Sequence, residues 1–411
     1  MKSQRLIAFE ILYKIFYDAS YSNLALDSAL ADIEENKSFI SALVYGVVER
    51  RITIDYYLKK YIDKSPKPKI MTVLRLGAYQ ILYMDKVPDS AAINESVKLV
   101  KEIKQDFYSK LVNAVLHKVA DDNEILKDDY LIHSIPEQLL NMWNKQYGFD
   151  TVKEFLPCLN GRPPVFAIPN KFFVDSDELL YELLSEDVEC EVYDDVVKIN
   201  SPIDFRTSRA YKNGLFHIED LSSYECAVSL GARENDTVLD VCCAPGGKTF
   251  TIAQQMNNKG RIFAFDLYSH RIKLVNDGAK RLGINIIKTA VNDASVYNPD
   301  IPTADRILVD VPCSGFGIIR RKPEIRHKSL DSVKDLPHLQ LDILETSSKY
   351  LKSGGVLIYS TCTLNKKENE NVVKSFLEKN KNFTLTDEKT IFPSFDGGDG
   401  FYRAKLIKNN D

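Results

Sequence analysis

The chain has no run of eighteen apolar residues, and its opening stretch MKSQRLIAFE places Glu10 where a secretory leader needs an unbroken apolar core. Neither a membrane span nor export is expected, and the sequence reads as cytoplasmic. Cysteine is sparse and odd in number: Cys158, Cys190, Cys226, Cys242, Cys243, Cys313 and Cys362. These residues lie in apolar, strand-like or helical surroundings and form no CxxC pair, so neither a disulfide framework nor a zinc site is expected. A large charge of one sign is missing too. With a net charge of -4, any hold on a polyanion has to come from local basic patches. Internal repeats and low-complexity tracts are absent. What is present is ordinary for a globular protein, 44% hydrophobic and 27% charged residues, in a length of 411 that calls for at least two cores.

Periodicity divides the chain. Up to about Ala120 apolar residues recur at helical spacing (Ile7, Ile11, Leu12, Ile15; Leu43, Val47, Val48; Val73, Leu76, Ile81), with breaks at SPKP (65–68) and VPDS (87–90). The charged stretch DDNEILKDD (121–129) marks a boundary, and the prolines at 163 and 164 a softer one. From Pro164 to Asp204 the β-prone runs VFAI and VVKI surround a helix over 177–184, which predicts a small α+β module. After Gly231 the runs TVLDVCC, RIFAFDLY, INIIKTAV, DRILVDVP and GVLIYSTC alternate with helix-length segments, the pattern of a parallel doubly wound sheet. The expected domains are residues 1–122, all-α; 130–215, linking helices and the α+β module; and 216–411, α/β.

Such sheets bind ligands beyond the carboxyl ends of their strands. Asp240, Asp266, Asp293, Asp310 and Cys362 each fall at or just past a strand end. The first strand runs into DVCCAPGGKT (240–249), where Gly246 and Gly247 allow close backbone approach and the following helix start presents free amides. Gly247, Lys248 and Thr249 fit the end of a P-loop, but Cys242 stands where its first glycine is required, which disfavours a nucleotide hydrolase. Asp266 is placed to accept hydrogen bonds from ribose hydroxyls and Asp293 to hold an adenine amine. That set suits an adenosine-shaped ligand without phosphates, S-adenosylmethionine better than a dinucleotide. Thiols at Cys313 and Cys362, each behind a strand of the same edge, are hard to explain as packing alone.

DVCCAPGGKT, VDVPCSGFGIIRRKPEIR, YSTCTLNKKENE and the closing DGFYRAKLIK resemble the RNA cytosine-5 methyltransferases, in particular the bacterial small-subunit ribosomal RNA branch called RsmB, Fmu or Sun. RLGAYQILYM, INESVKLVK and LVNAVLHKV resemble its helical NusB-like RNA-binding domain, and HIEDLSS the lead into its catalytic domain. The resemblance covers nearly the whole chain. It implies a Rossmann-like catalytic domain in which Cys362 attacks carbon 6 of the base, Cys313 assists release and Asp310 contacts the cytosine. It also implies that Cys242, Cys243, Ala244, Pro245, Gly246, Gly247 and Lys248, with Asp266, Asp293 and Asp310, hold S-adenosylmethionine. The partner implied is RNA, most of all 16S ribosomal RNA; apart from the resemblance, a monomer is the default expectation, with no metal and no membrane. His327 departs from the aromatic residue usual in the family, and Glu219 from its glutamine.

Bland readings stand beside these. Cys242 and Cys243 also suit core packing beside the loop, and the run RRKPEIRHK (320–328) suits a solvated face. Beside a catalytic loop, however, Arg320, Arg321, Lys322 and Arg326 are expected to contact phosphates. The rival functions are the same chemistry on transfer RNA, a P-loop NTPase and a non-catalytic RNA-binding protein.

Overall fold

The computed structural model of this chain describes residues 2–18, 22–30 and 37–410. It divides into two compact units, Met1–Asn160 with Ile319–Lys328, and Gly161–Ile318 with Ser329–Asp411.

The first unit is helical. Ser3 caps Gln4–Tyr17 by accepting from the Leu6 amide, and Pro68 opens Pro68–Tyr83 at a position where its missing N–H costs nothing. Pro88 precedes Asp89–Glu102, so both proline breaks read from the sequence are helix starts. Ile11, Leu12 and Ile15 from the first helix, Leu43, Val47 and Val48 from Lys37–Glu49, and Val73 and Leu76 from Pro68–Tyr83 are buried in one core. The helices Asp129–Ile132, Glu137–Tyr147 and Phe149–Phe155 belong to this unit as well. The expected grouping of residues from 130 onward with the α+β module is therefore corrected. No described helix is long and apolar enough to cross a membrane.

The surprise of this unit is residues 319–328, which return to it from the α/β part of the sequence. Arg326 is fully buried, and its guanidinium donates to the carbonyls of Glu49 (2.8 Å), Ser134 (3.2 Å) and Leu159 (3.2 Å) and to Asn160 Oδ1 (3.2 Å). Glu49 and Leu159 end helices and Ser134 lies two residues past another, so one cation caps three carboxyl-terminal ends. Burial brings its pKa down to about 10, leaving it charged at neutral pH. His327 Nε2 donates to the Val48 carbonyl at 3.0 Å, and burial with the neighbouring Arg51 pushes its pKa down to about 3, so it is neutral. Arg320 is buried too. The expectation that Arg326 contacts phosphates is corrected, because its guanidinium is held by interior carbonyls; Arg321 and Lys322 are half-buried.

Among the described residues the second unit holds two sheets. The small one, in the order β2 (Cys190–Tyr193), β3 (Val196–Ile199), β1 (Val165–Pro169), β4 (Phe216–Ile218), is antiparallel. The helix Ser176–Leu184 that accompanies it starts at a capping box between Asp175 and Glu178. Because β4 completes this sheet, the α+β module runs past the expected limit at 215.

The large sheet has the order β10 (Phe383–Ile391), β11 (Phe401–Lys408), β9 (Leu351–Thr361), β8 (Ala304–Asp310), β5 (Thr237–Asp240), β6 (Arg261–Asp266), β7 (Ile287–Val291). The five strands read from the sequence are mutually parallel, while β10 and β11 add an antiparallel edge. Apolar clusters cover both faces. The chain winds outward from β5 in both directions, which opens a crevice between the ends of β5 and β8.

Candidate active site

The turn after β5 is shaped by its glycines. Gly246 takes φ +117, a region closed to most side chains, and starts the helix Gly247–Gln255, whose free amides face the strand ends. A Cβ on Gly247 would come within 3.2 Å of the Glu219 carboxyl carbon, so glycine is what lets the two segments approach.

Beside this turn lies a cavity of about 210 Å³. Of the residues expected to hold a cofactor, Cys242, Cys243, Ala244, Pro245, Gly247, Lys248 and Asp310 line it, joined by Asp240. Asp266 sits one step behind. Its carboxylate is buried and accepts from the Ala244 amide (3.3 Å) and the Tyr268 amide (3.2 Å), and pairs with Arg271 (3.1 Å). Asp293 is exposed and accepts from the amide and hydroxyl of Ser295, a local turn contact. The structure thus brings the loop and Asp310 together at one cavity, with Asp266 attached through Ala244 and Asp293 outside its lining.

Glu219 and Asp220, from the segment between β4 and the following helix Leu221–Ser229, and Ser223 within that helix line the same cavity. HIEDLSS carried the signal, a histidine and two acids ahead of a helix, but no role was read from it. Glu219 is buried and accepts from Ser223 Oγ (2.6 Å) and Thr251 Oγ1 (2.7 Å). Burial alone would push its pKa up, yet His217, Lys248 and Ser223 outweigh that and hold it below the usual carboxylate range.

Asp240 has the opposite balance. Fully buried, with Oδ1 lacking a hydrogen-bond partner and Oδ2 accepting from Thr249 (2.6 Å), its pKa is pushed up to about 7. Four acids and one cation, Lys248, therefore line the cavity. Such a wall repels phosphates and favours a cation, which fits the sulfonium and ammonium of S-adenosylmethionine and argues against a nucleoside triphosphate. The orphaned Asp240 oxygen is one place where a donor from that group would be satisfied.

Lys248 donates to Asp310 Oδ2 (2.9 Å) while its Nζ lies 4.9 Å from the Phe401 ring centre. Although burial opposes the charge, Asp310, Cys226 and Glu219 raise the Lys248 pKa, so the ammonium persists. Ser360 of β9 donates to Asp310 Oδ1 (2.8 Å), which fixes that carboxylate between β8 and β9.

Beyond these strand ends Cys313 and Cys362 meet. Their sulfurs are 3.2 Å apart, a hydrogen-bond contact between two free, half-buried thiols. The Cys313 pKa is pushed well up, first by its hydrogen bond to Cys362, then by burial and by the charges around it, including Glu368 and Asp310. Either sulfur can be the donor in this contact.

Residues 227–407 match the 16S rRNA methyltransferase RsmB/F family, and residues 2–121 the NusB family. The chain is 35% identical to the probable ribosomal RNA small subunit methyltransferase B of Bacillus subtilis, over 99% of each. To the protein of the same name from Synechocystis sp. it is 30% identical, over 99% of this chain and 100% of that one. Among solved structures PH0851 is similar with a TM-score of 0.85 at 26% identity, over 99% of each chain. A methyltransferase homolog from Pyrococcus horikoshii has a TM-score of 0.60 at 24% identity, over 68% of this chain and 98% of that one, a likeness of fold.

Proposed function

Since this chain belongs to the 16S rRNA methyltransferase RsmB/F family, we propose that it methylates carbon 5 of a cytosine in small-subunit ribosomal RNA through a covalent adduct to Cys362. The observation that carries this reading is the 3.2 Å contact between Cys313 and Cys362, beside the Lys248–Asp310 pair.

Carbon 5 of cytosine is a weak nucleophile until a thiolate adds to carbon 6. In that step the Cys362 sulfur bonds carbon 6 and the ring π pair moves to carbon 5, which can then take a methyl group. S-adenosylmethionine, when bound, supplies that methyl in electrophilic form. The loop 242–248 with Asp240, Asp266 and Asp293 is the chain's means of holding it. Asp310, immobilised by Lys248 and Ser360, accepts from the cytosine amino group. Once the Cys362 sulfur is a thioether, the contact that most firmly holds the Cys313 proton is gone. Cys313 then releases its proton to solvent, takes the one on carbon 5, and the carbon–sulfur bond breaks to restore the Cys362 thiolate. The NusB-like helical unit contributes RNA binding.

Denaturing gels of the protein mixed with RNA and S-adenosylmethionine test this. Cys362→Ala is expected to give no methylation and no adduct. Cys313→Ala adds and methylates but eliminates slowly, so a covalent complex accumulates. An adduct that persists in Cys362→Ala and vanishes in Cys313→Ala reverses the two roles.

A further inference from the structure

We propose that Glu368 is a positioning residue that ties the two cysteine loops together and assigns the shared proton to Cys313. The proposal rests on the two-thiol reading above and adds the element that makes the thiols unequal.

Glu368 lies six residues past Cys362 and is fully buried. Its Oε1 accepts from Ser314 Oγ (2.6 Å) and Asn365 Nδ2 (2.9 Å), and its Oε2 from the Ser314 amide (2.9 Å) and Gln340 Nε2 (3.0 Å). Ser314 follows Cys313 directly, and Asn365 belongs to the loop that carries Cys362, so one carboxylate holds both loops. Further bonds close the same frame: Gln340 Nε2 also donates to the carbonyl of Pro312 (3.0 Å), Ser314 Oγ meets Thr363 Oγ1 (2.6 Å), and the Gly317 amide donates to the Cys362 carbonyl (3.1 Å). Cys313 and Cys362 are thereby flanked in both loops by groups that converge on Glu368.

The donors to Glu368 are all neutral. Packing alone does not call for a buried carboxylate without a cation, because such a charge is expensive. A charge satisfied only by dipoles keeps much of its field, and this one is held to the residue that follows Cys313 through both its amide and its hydroxyl. The negative field penalises a thiolate there and leaves Cys362 as the acceptor of the S–H hydrogen bond. Glu368 is also among the charges that raise the Cys313 pKa.

The test follows alkylation of each thiol by iodoacetamide at low conversion, across pH 6 to 10, in the full chain without RNA or cofactor, with the modified cysteine identified by mass spectrometry. In the wild type the pH midpoint for Cys313 is expected above that for Cys362. Glu368→Gln removes the charge and is expected to lower the Cys313 midpoint by about one pH unit or more, while Glu368→Asp keeps it near the wild-type value. Methylation by Glu368→Gln is expected to lose kcat with little change in KM for RNA. A wild-type order with Cys362 above Cys313 overturns the proposal even if Glu368→Gln does not fold. An unshifted Cys313 midpoint in Glu368→Gln that still binds S-adenosylmethionine overturns it too. Because no methyl transfer is needed, reversed roles in the adduct gels would sink the catalytic reading while leaving this measurement to stand on its own.

Discussion

Replacing Arg326 by alanine separates an interior clamp from a phosphate contact. Its guanidinium donates to the carbonyls of Glu49, Ser134 and Leu159 and to Asn160 Oδ1, all in the helical unit. A hydrogen bond from a charged donor is worth about 1.5–3 kcal/mol, and the three carbonyl bonds together give roughly 5–9 kcal/mol. Against this stands the cost of burying the charge. The fall of its pKa from 12.5 to about 10 corresponds to about 3 kcal/mol. The net loss expected for Arg326→Ala is therefore about 2–6 kcal/mol, with Arg326→Lys recovering only part of it, since the three donors of an ammonium sit on one nitrogen and cannot span the acceptors that the two guanidinium nitrogens reach. Urea denaturation at neutral pH measures this loss. In parallel, the slope of log RNA affinity against log salt should not change. A stability within about 0.5 kcal/mol of wild type, with the slope reduced by about 0.7–0.9 as for one lost phosphate contact, would refute the interior role.

Other outcomes follow from the site. Asp240, with its pKa pushed up to about 7 by burial, favours the folded state most below about pH 4, and that contribution is lost as pH rises through 7. Asp240→Asn should flatten the apoprotein's stability over that window by at most about 4 kcal/mol in thermal melts, and an unchanged pH profile would contradict the burial argument. Asp266→Ala should weaken S-adenosylmethionine binding by about 10- to 150-fold in calorimetry, the loss of one charge-assisted hydrogen bond; equal affinity in a folded variant would mean the ribose lies elsewhere. A Cβ at Gly317 would lie 2.0 Å from the Gly400 carbonyl oxygen and 2.9 Å from that of Cys362. Gly317→Ala should therefore cost about 100-fold or more in methylation while sparing cofactor affinity, and near-normal turnover would show that the cysteine loops tolerate displacement.

The parts of this architecture that could be read in advance are those written in local periodicity. Ile11, Leu12 and Ile15 repeat at helical spacing, and TVLD, RIFAFD and RILVD carry the short apolar runs of buried parallel strands. Residues whose job is tertiary were not legible. RRKPEIRHK looks like a solvated basic face because nothing local shows that Arg326 will meet three helix ends. The strand Phe383–Ile391 was missed because its exposed alternation, FTLTDEKTI, is polar for most of its length. At the site, the cysteines and strand-end acids stood out through their chemical type. Glu219 and Glu368 did not, because an acid's meaning depends on whether it is buried, and that is set by segments far away in sequence. Asp293 stood out by type as well, and the contact it makes within the fold is the local one with Ser295.

The return of residues 319–328 to the helical unit bears on how the protein is made. The bond from Arg326 to the Glu49 carbonyl spans 277 positions of sequence. During synthesis the helices emerge first, yet three of their carboxyl-terminal ends wait for their cap until the chain has passed residue 328. By then β1 to β8 have emerged, so these ends lack their cap while much of the second unit is translated. Closing so long a loop costs chain entropy that only late contacts recover. The backbone crosses between the units after residues 160, 318 and 328, so excising the helices by a single cut after Asn160 would strand Ile319, Ile325 and Arg326 without their surroundings. Completion of the helical unit is thus tied to the translation of residues 319–328, and chain release before residue 328 is expected to yield a helical fragment prone to aggregation.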